Sequence, residues 1–127
     1  MKLWVDDLRP VPDGDDWVEV NSVNDAIEEI LYRERMLTTC KEWIELKTSL
    51  GMDPSNWEWH LKMHTIELID IDHDAGDFAN YGGDYIRLLD WLEETGRNYP
   101  IRIHSMNVVG VQNMRTIIRR NGWKEVI

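Results

Sequence analysis

The stretch Ile66-Glu67-Leu68-Ile69-Asp70-Ile71-Asp72-His73-Asp74 decides the fold. It is a short apolar run that stops abruptly in acidic residues, the signature of a buried strand. Downstream, a polar glycine loop from Gly76 to Gly83 leads into a helix whose stripe is Tyr85, Ile86, Leu88, Leu89 and Leu92, with Gly96 as its stop. Pro100 then precedes a strand, Ile101 to Ser105. Val111, Met114, Ile117 and Ile118 mark a further helix that ends at Asn121-Gly122, and Trp123 to Ile127 reads as a last short strand.

Upstream the same grammar appears. Leu3-Trp4-Val5 is a strand that ends in Asp6-Asp7, and Arg9-Pro10-Val11-Pro12-Asp13-Gly14 is a loop. Trp17 to Val20 is a second strand. Asn21 or Ser22 then caps a helix whose face is Val23, Ala26, Ile27, Ile30 and Leu31, expected to end near Met36. Residues 37–64 form an extra, Trp-rich segment. Its first part has a weak helical period, Gly51 and Pro54 break it, and the region around Trp57 and Trp59 fits a strand or a second short helix. Strands and helices in alternation imply one α/β domain over residues 1–127, with a five-stranded parallel sheet and helices on both faces.

Composition narrows the function. The 127 residues carry 14 basic and 24 acidic side chains, a net charge of −10, which argues against a protein that coats nucleic acid through a basic face. One small phosphate ligand remains compatible, because a bound cation reverses the local field. Cys40 is the only cysteine, so neither a disulfide framework nor a cysteine zinc site can be built, and a reducing cytoplasm is the expected compartment. No apolar run approaches a membrane span, and the N-terminus opens on a strand-like run without a signal-peptide pattern.

In open parallel sheets, ligands bind outside the carboxyl ends of the strands. Three predicted strands end there in chemically capable residues: Asp6-Asp7, Asp72-His73-Asp74 and His104-Ser105-Met106-Asn107. Converging carboxylates repel, and a hard divalent cation, Mg²⁺ or Mn²⁺, relieves that repulsion. Asp6, Asp7 and Asp72 are the candidate metal ligands, and Asp70, two residues before Asp72, is a further member or substitute. His73 and His104 suit an acid/base pair at a phosphate, with Asp72 and Asp74 beside them. Arg9, Ser105 and Asn107 are candidate phosphate contacts, Asn107 because it precedes a helix N-terminus. The bland readings are loop capping for the aspartates, a structural role for each histidine and a loop salt bridge for Arg9. His60 and His64 read as structural or surface residues. Of the seven tryptophans, Trp4, Trp17, Trp91 and Trp123 are assigned to the core, and Trp43, Trp57 and Trp59 to satellite packing or a base-stacking lid.

These blocks resemble a known superfamily. An acidic pair after the first strand, an aspartate after the third and a serine after the fourth are similar to the receiver domains of two-component response regulators. Leu3-Trp4-Val5-Asp6-Asp7-Leu8-Arg9-Pro10, Ile71-Asp72-His73-Asp74-Ala75-Gly76-Asp77 and Ile103-His104-Ser105-Met106-Asn107 are similar, more narrowly, to the divergent cyclic-phosphate processing receiver-like family, with Gly83-Asp84-Tyr85 and Trp91-Leu92-Glu93 as a weaker block. The resemblance implies a three-layer flavodoxin-like fold with strand order 2-1-3-4-5. It also implies phosphoesterase-like hydrolysis of a cyclic phosphate, on a nucleotide or a 2′,3′-cyclic RNA end. It places function on Asp6, Asp7, Arg9, Asp72, His73, Asp74, His104, Ser105 and Asn107. Residues 8–16 are too few and too proline-rich for the first receiver helix, and Lys124 sits at the start of the fifth strand, where a receiver keeps its lysine at the end. The alternatives are a degenerate receiver serving as a signalling or protein-interaction module, with Asp72 as phosphoacceptor, and a protein that sequesters a nucleotide without cleaving it.

Overall fold

The computed structural model describes residues 1–14 and 16–127. Strands β1 (Lys2–Val5), β2 (Trp17–Val20), β3 (Leu68–Ile71) and β4 (Ile101–Ile103) form one parallel sheet in the order β2-β1-β3-β4. The helices are α1 (Val23–Ser49), α2 (Ser55–His64), α3 (Ile86–Glu94) and α4 (Val108–Asn121), and a 3-10 turn spans Gly76–Asn80. The expected order holds for four strands. The fifth is reduced to one parallel bridge between Ile101 and Glu125 beside β4. Ile101 makes both of its hydrogen bonds, donating to Lys124 O at 2.9 Å and accepting from Val126 N at 2.7 Å. With Trp123 turned into the core, no longer ladder forms.

The register sorts the side chains into two faces. Leu3, Val5, Ile69, Ile71 and Ile101 lie on one, all fully buried, and join Ala26 and Ile30 of α1, Leu88, Leu89 and Leu92 of α3, and Met114 and Ile118 of α4 in a single core. Lys2, Trp4, Trp17, Leu68, Asp70 and Arg102 alternate onto the other face and take no part in that core. The three-layer expectation is therefore corrected to two layers. Right-handed crossovers from β2 to β3 and from β3 to β4 step across the sheet in one direction, so their helices share a face. Only the β1-to-β2 step runs the other way, and its loop carries no helix among the described residues.

The expected end of the first helix near Met36 is also corrected. Helix α1 runs 27 residues, about 40 Å at 1.5 Å per residue, beside strands of about 13 Å. Ser22 caps it, accepting from Asp25 N at 3.1 Å. Its distal half packs against α2 instead of the sheet: Trp43 stacks on Trp57 with ring centroids 5.4 Å apart, and Cys40 is buried. The 37–64 segment is thus a helical hairpin, and Trp57 and Trp59 lie on α2. It is tied to the amino end of the sheet by Met1 N to Thr65 O (2.7 Å), the end away from the acidic loops. His64 is buried there with Arg33 Nη1 at 2.9 Å. No helix among the described residues is long and apolar enough to cross a membrane.

Candidate active site

Strands β1, β3 and β4 are neighbours, so the loops after them meet at one edge. Asp6, Asp7 and Asp72 each bring a carboxylate oxygen within 4.8 Å of the others. Asp6 is buried and fully engaged. Its Oδ1 accepts from Leu8 N (2.9 Å) and Arg9 N (2.8 Å), closing the turn after β1, and its Oδ2 faces His104 Nε2 at 2.7 Å. Burial pushes the Asp6 carboxyl up, but the N–H groups of Arg9 and Leu8 and the His104 ring outweigh it and hold the group below the usual carboxylate range. Asp7 moves the opposite way: burial, then the negative charges of Asp6 and Asp72, raise it. Asp72 accepts its own neighbour's N–H, from His73 at 2.8 Å.

This donor set fits a hard cation. All three candidate ligands are carboxylates, and the Asp6 and Asp72 charges, which after burial raise Asp7, are what a divalent ion would offset. Gly76 makes room: a Cβ there would stand 2.4 Å from Asp7 Oδ2, and its φ of +55° already favours glycine. Asn21 braces the floor by donating from Nδ2 to Asp6 O at 2.9 Å, while the fully buried Tyr85 donates its hydroxyl to Asn21 O at 2.7 Å. Burial and the surrounding carboxylates push the Tyr85 phenol up, so it stays a donor. Asp84 accepts from Ala75 N at 3.0 Å and pins the loop after β3.

The two histidines sit in different settings. His104 lies on the helix-free face, stacked on Trp4 with centroids 3.9 Å apart and planes within 2°. Its Nε2 faces Asp6 and its Nδ1 faces Asp70 Oδ1 at 2.6 Å. Asp70 is 1% exposed, and its Oδ2 takes Arg102 Nε at 2.7 Å and Nη2 at 2.5 Å. Both His104 nitrogens are thus engaged by carboxylates. His73 lies against α4, over Gly110, where a Cβ would come within 2.5 Å of the ring. Asp74 Oδ1 holds His73 Nδ1 at 2.9 Å, which leaves Nε2 as the ring's other working nitrogen. The expected His73–His104 pair is therefore brought to one sheet edge but split between its two faces.

The phosphate candidates are partly committed. Arg9 Nη1 donates to His104 O at 2.7 Å, strapping the first loop to the β4 end. Ser105 Oγ accepts from Asn107 N at 3.2 Å and keeps its own proton to donate. Asn107 caps α4 through Gly110 N at 2.9 Å, and its Nδ2 leans on Asp74 Oδ1 at 3.3 Å. Its side chain is thus a brace for the His73–Asp74 pair. Sequence reasoning missed Trp4, Arg102, Gly76 and Gly110 as parts of the site. The glycine directly after an acidic loop and the glycine in a first helical turn were the available signals.

The family description that matches this chain, over residues 1–120, is the cyclic-phosphate processing receiver domain. No curated protein and no solved structure matched.

Proposed function

Because the chain belongs to the cyclic-phosphate processing receiver family, we propose that it opens a cyclic phosphate hydrolytically at the carboxyl edge of its sheet. The observation that carries this reading is the meeting of Asp6, Asp7 and Asp72 within 4.8 Å, beside a histidine oriented by its own aspartate. Asp7 and Asp72 would hold a divalent cation, with Asp6 held back by its three hydrogen bonds. Such a cation supplies charge neutralisation on the phosphate oxygens.

The chain's own groups do the rest. His73 Nε2 takes a proton from the attacking water, while Asp74 fixes the ring and supports the charge it gains. The same nitrogen can return that proton to the leaving ester oxygen. Ser105 Oγ–H and the remaining N–H groups of Arg9 donate to the phosphate oxygens. His104 works through Asp6: it holds that carboxylate in place and does not shuttle protons.

Incubation with 2′,3′-cyclic nucleotides and Mg²⁺ or Mn²⁺, followed by ³¹P NMR, tests the reading. Ring opening that is lost in Asp72→Asn and His73→Ala is the expected result. Recovery of intact nucleotide at one per chain would identify a sequestering protein instead. Labelling of Asp72 by acetyl phosphate, with no ring opening, would identify a receiver.

A further inference from the structure

Beside the acidic cluster runs a groove of about 450 Å³, lined by Ser22, Asn24, Asp25, Phe78 and Tyr81. That volume is within the usual range for small-ligand sites, about 300–1,000 Å³. We propose that this groove is the nucleobase subsite of the candidate active site, an inference that rests on the cyclic-phosphate reading and narrows the substrate to a nucleoside cyclic phosphate.

Position is the first argument. Ser22 follows Asn21, whose amide is bonded to Asp6 O. Gly76, against which Asp7 packs, opens the 3-10 turn that ends just before Tyr81. Five residues at about 2.0 Å each make that turn about 10 Å long. This short turn joins the acidic cluster to the rim of the groove, with Tyr81 at its far end.

Chemistry is the second. Phe78 packs against the core and offers a fixed aromatic wall, while Tyr81 is 58% exposed. Every base has a π-face for such a surface. Among the lining residues, Asn24 can donate and accept, and Asp25 can only accept, which suits the N–H groups of a base. The lining has no basic side chain, and Asp25 in the first turn of α1 already faces the positive helix end. The groove therefore repels the phosphate and takes the neutral part of the ligand.

Rigidity is the third. Asn24 N donates to Tyr81 O at 3.0 Å, and Tyr81 N to Phe78 O at 2.9 Å. Gly82, at φ +113°, lies so close to α1 that a Cβ would reach 2.7 Å from Asn24 Oδ1 and 2.8 Å from Val23 Cβ. The aromatic loop is thus fastened to the helix before any ligand arrives.

Phe78 is the only phenylalanine, so ring labelling of phenylalanine yields a single reporter in the groove. Titration with millimolar adenosine should shift that signal saturably in the intact chain. Tyr81→Ala should weaken the response about tenfold, the usual cost of a lost base stack, and Tyr81→Phe should restore it. Adenosine that leaves the Phe78 signal unmoved overturns the subsite. In parallel, 2′,3′-cyclic AMP is compared with the base-free methyl ribofuranoside 2,3-cyclic phosphate. The expected result is a KM about tenfold or more lower for the nucleotide, with Tyr81→Ala removing only that advantage. Equal KM values, or equal damage to both substrates, overturn the subsite while leaving hydrolysis intact. If neither substrate is opened, the hydrolytic reading falls, and the Phe78 titration alone decides the groove.

Discussion

His104 Nδ1 lies 2.6 Å from Asp70 Oδ1, beneath a ring stacked on Trp4 and on the face of the sheet that carries no helix among the described residues. Asp70 faces His104 and Arg102 at once, so neither of its oxygens is left unpaired. A polar layer of interlocked side chains therefore occupies a face that a second helix layer would otherwise bury.

Asp70→Ala strips the largely buried His104 Nδ1 of its acceptor, while the partly exposed Arg102 can turn to water, so the cost is about 1–3 kcal/mol. Asp70→Asn keeps one acceptor and should cost less. Urea unfolding of the three proteins checks the ranking. Equal midpoints would show that the layer contributes nothing to stability.

The two histidines should separate by what their loss damages. His104→Ala leaves Asp6 and Asp70 facing each other across a gap, so unfolding free energy falls by on the order of 3 kcal/mol, while the freed Asp6 oxygen tightens cation binding. His73→Ala leaves folding nearly intact and lowers ring opening by about 10²–10⁴. Thermal melts and kcat/KM on the same preparations distinguish the two outcomes. A His104→Ala protein that melts like the parent but is inactive would return His104 to an acid/base role.

Asp7 and Asp6 give opposite pH signatures. The raised Asp7 carboxyl binds its proton more tightly in the folded chain, so its contribution is complete below the ordinary value of 3.8 and is lost as pH climbs through the raised value. The lowered Asp6 contributes stability above its ordinary value, lost as pH falls through the lowered one. Asp7→Asn should therefore raise Tm in cation-free buffer at neutral pH. With millimolar Mg²⁺ or Mn²⁺ the order reverses, because only the parent gains binding energy. Melts with and without EDTA test the crossing.

Gly110→Ala sets helix propensity against a clash. Alanine in an exposed helix would stabilise by about 1 kcal/mol, yet here its Cβ would sit 2.5 Å from the His73 ring, between aromatic carbons and a fixed helix. The clash should win: Tm stays level or falls, and ring opening drops with it. Gly76→Ala, with its positive φ and the Asp7 contact, should act on cation affinity instead, measured by Mn²⁺ titration.

Much of this was readable in the chain, for physical reasons. The strand ends are legible because buried runs such as Leu68–Ile71 stop dead at acidic residues, and a parallel sheet gathers such ends at one edge. The distal half of α1 was not legible, because its partner is another helix. Arg33, Met36, Cys40, Ile44 and Lys47 continue a stripe, but it is narrow and half polar, and only Cys40 is fully buried. Asp70 could be seen to share a side with Asp72. That Arg102 lies opposite it depends on cross-strand register, which local sequence does not encode. The split of the histidines follows from strand parity for His104 and from the glycine at position 110 for His73, and no spacing rule joins the two.

The 40 Å span of α1 has an engineering consequence. Its first turn borders the aromatic groove, and its last turns belong to a hairpin that hangs below the opposite pole of the sheet. Elongation or trimming of that hairpin by matched whole turns alters the molecule's reach without displacing a single strand terminus. A tag, a fluorophore or a foreign docking helix grafted beside the Gly51 turn, with Gly51 itself kept for its φ of +70°, becomes a handle at the pole away from the acidic loops.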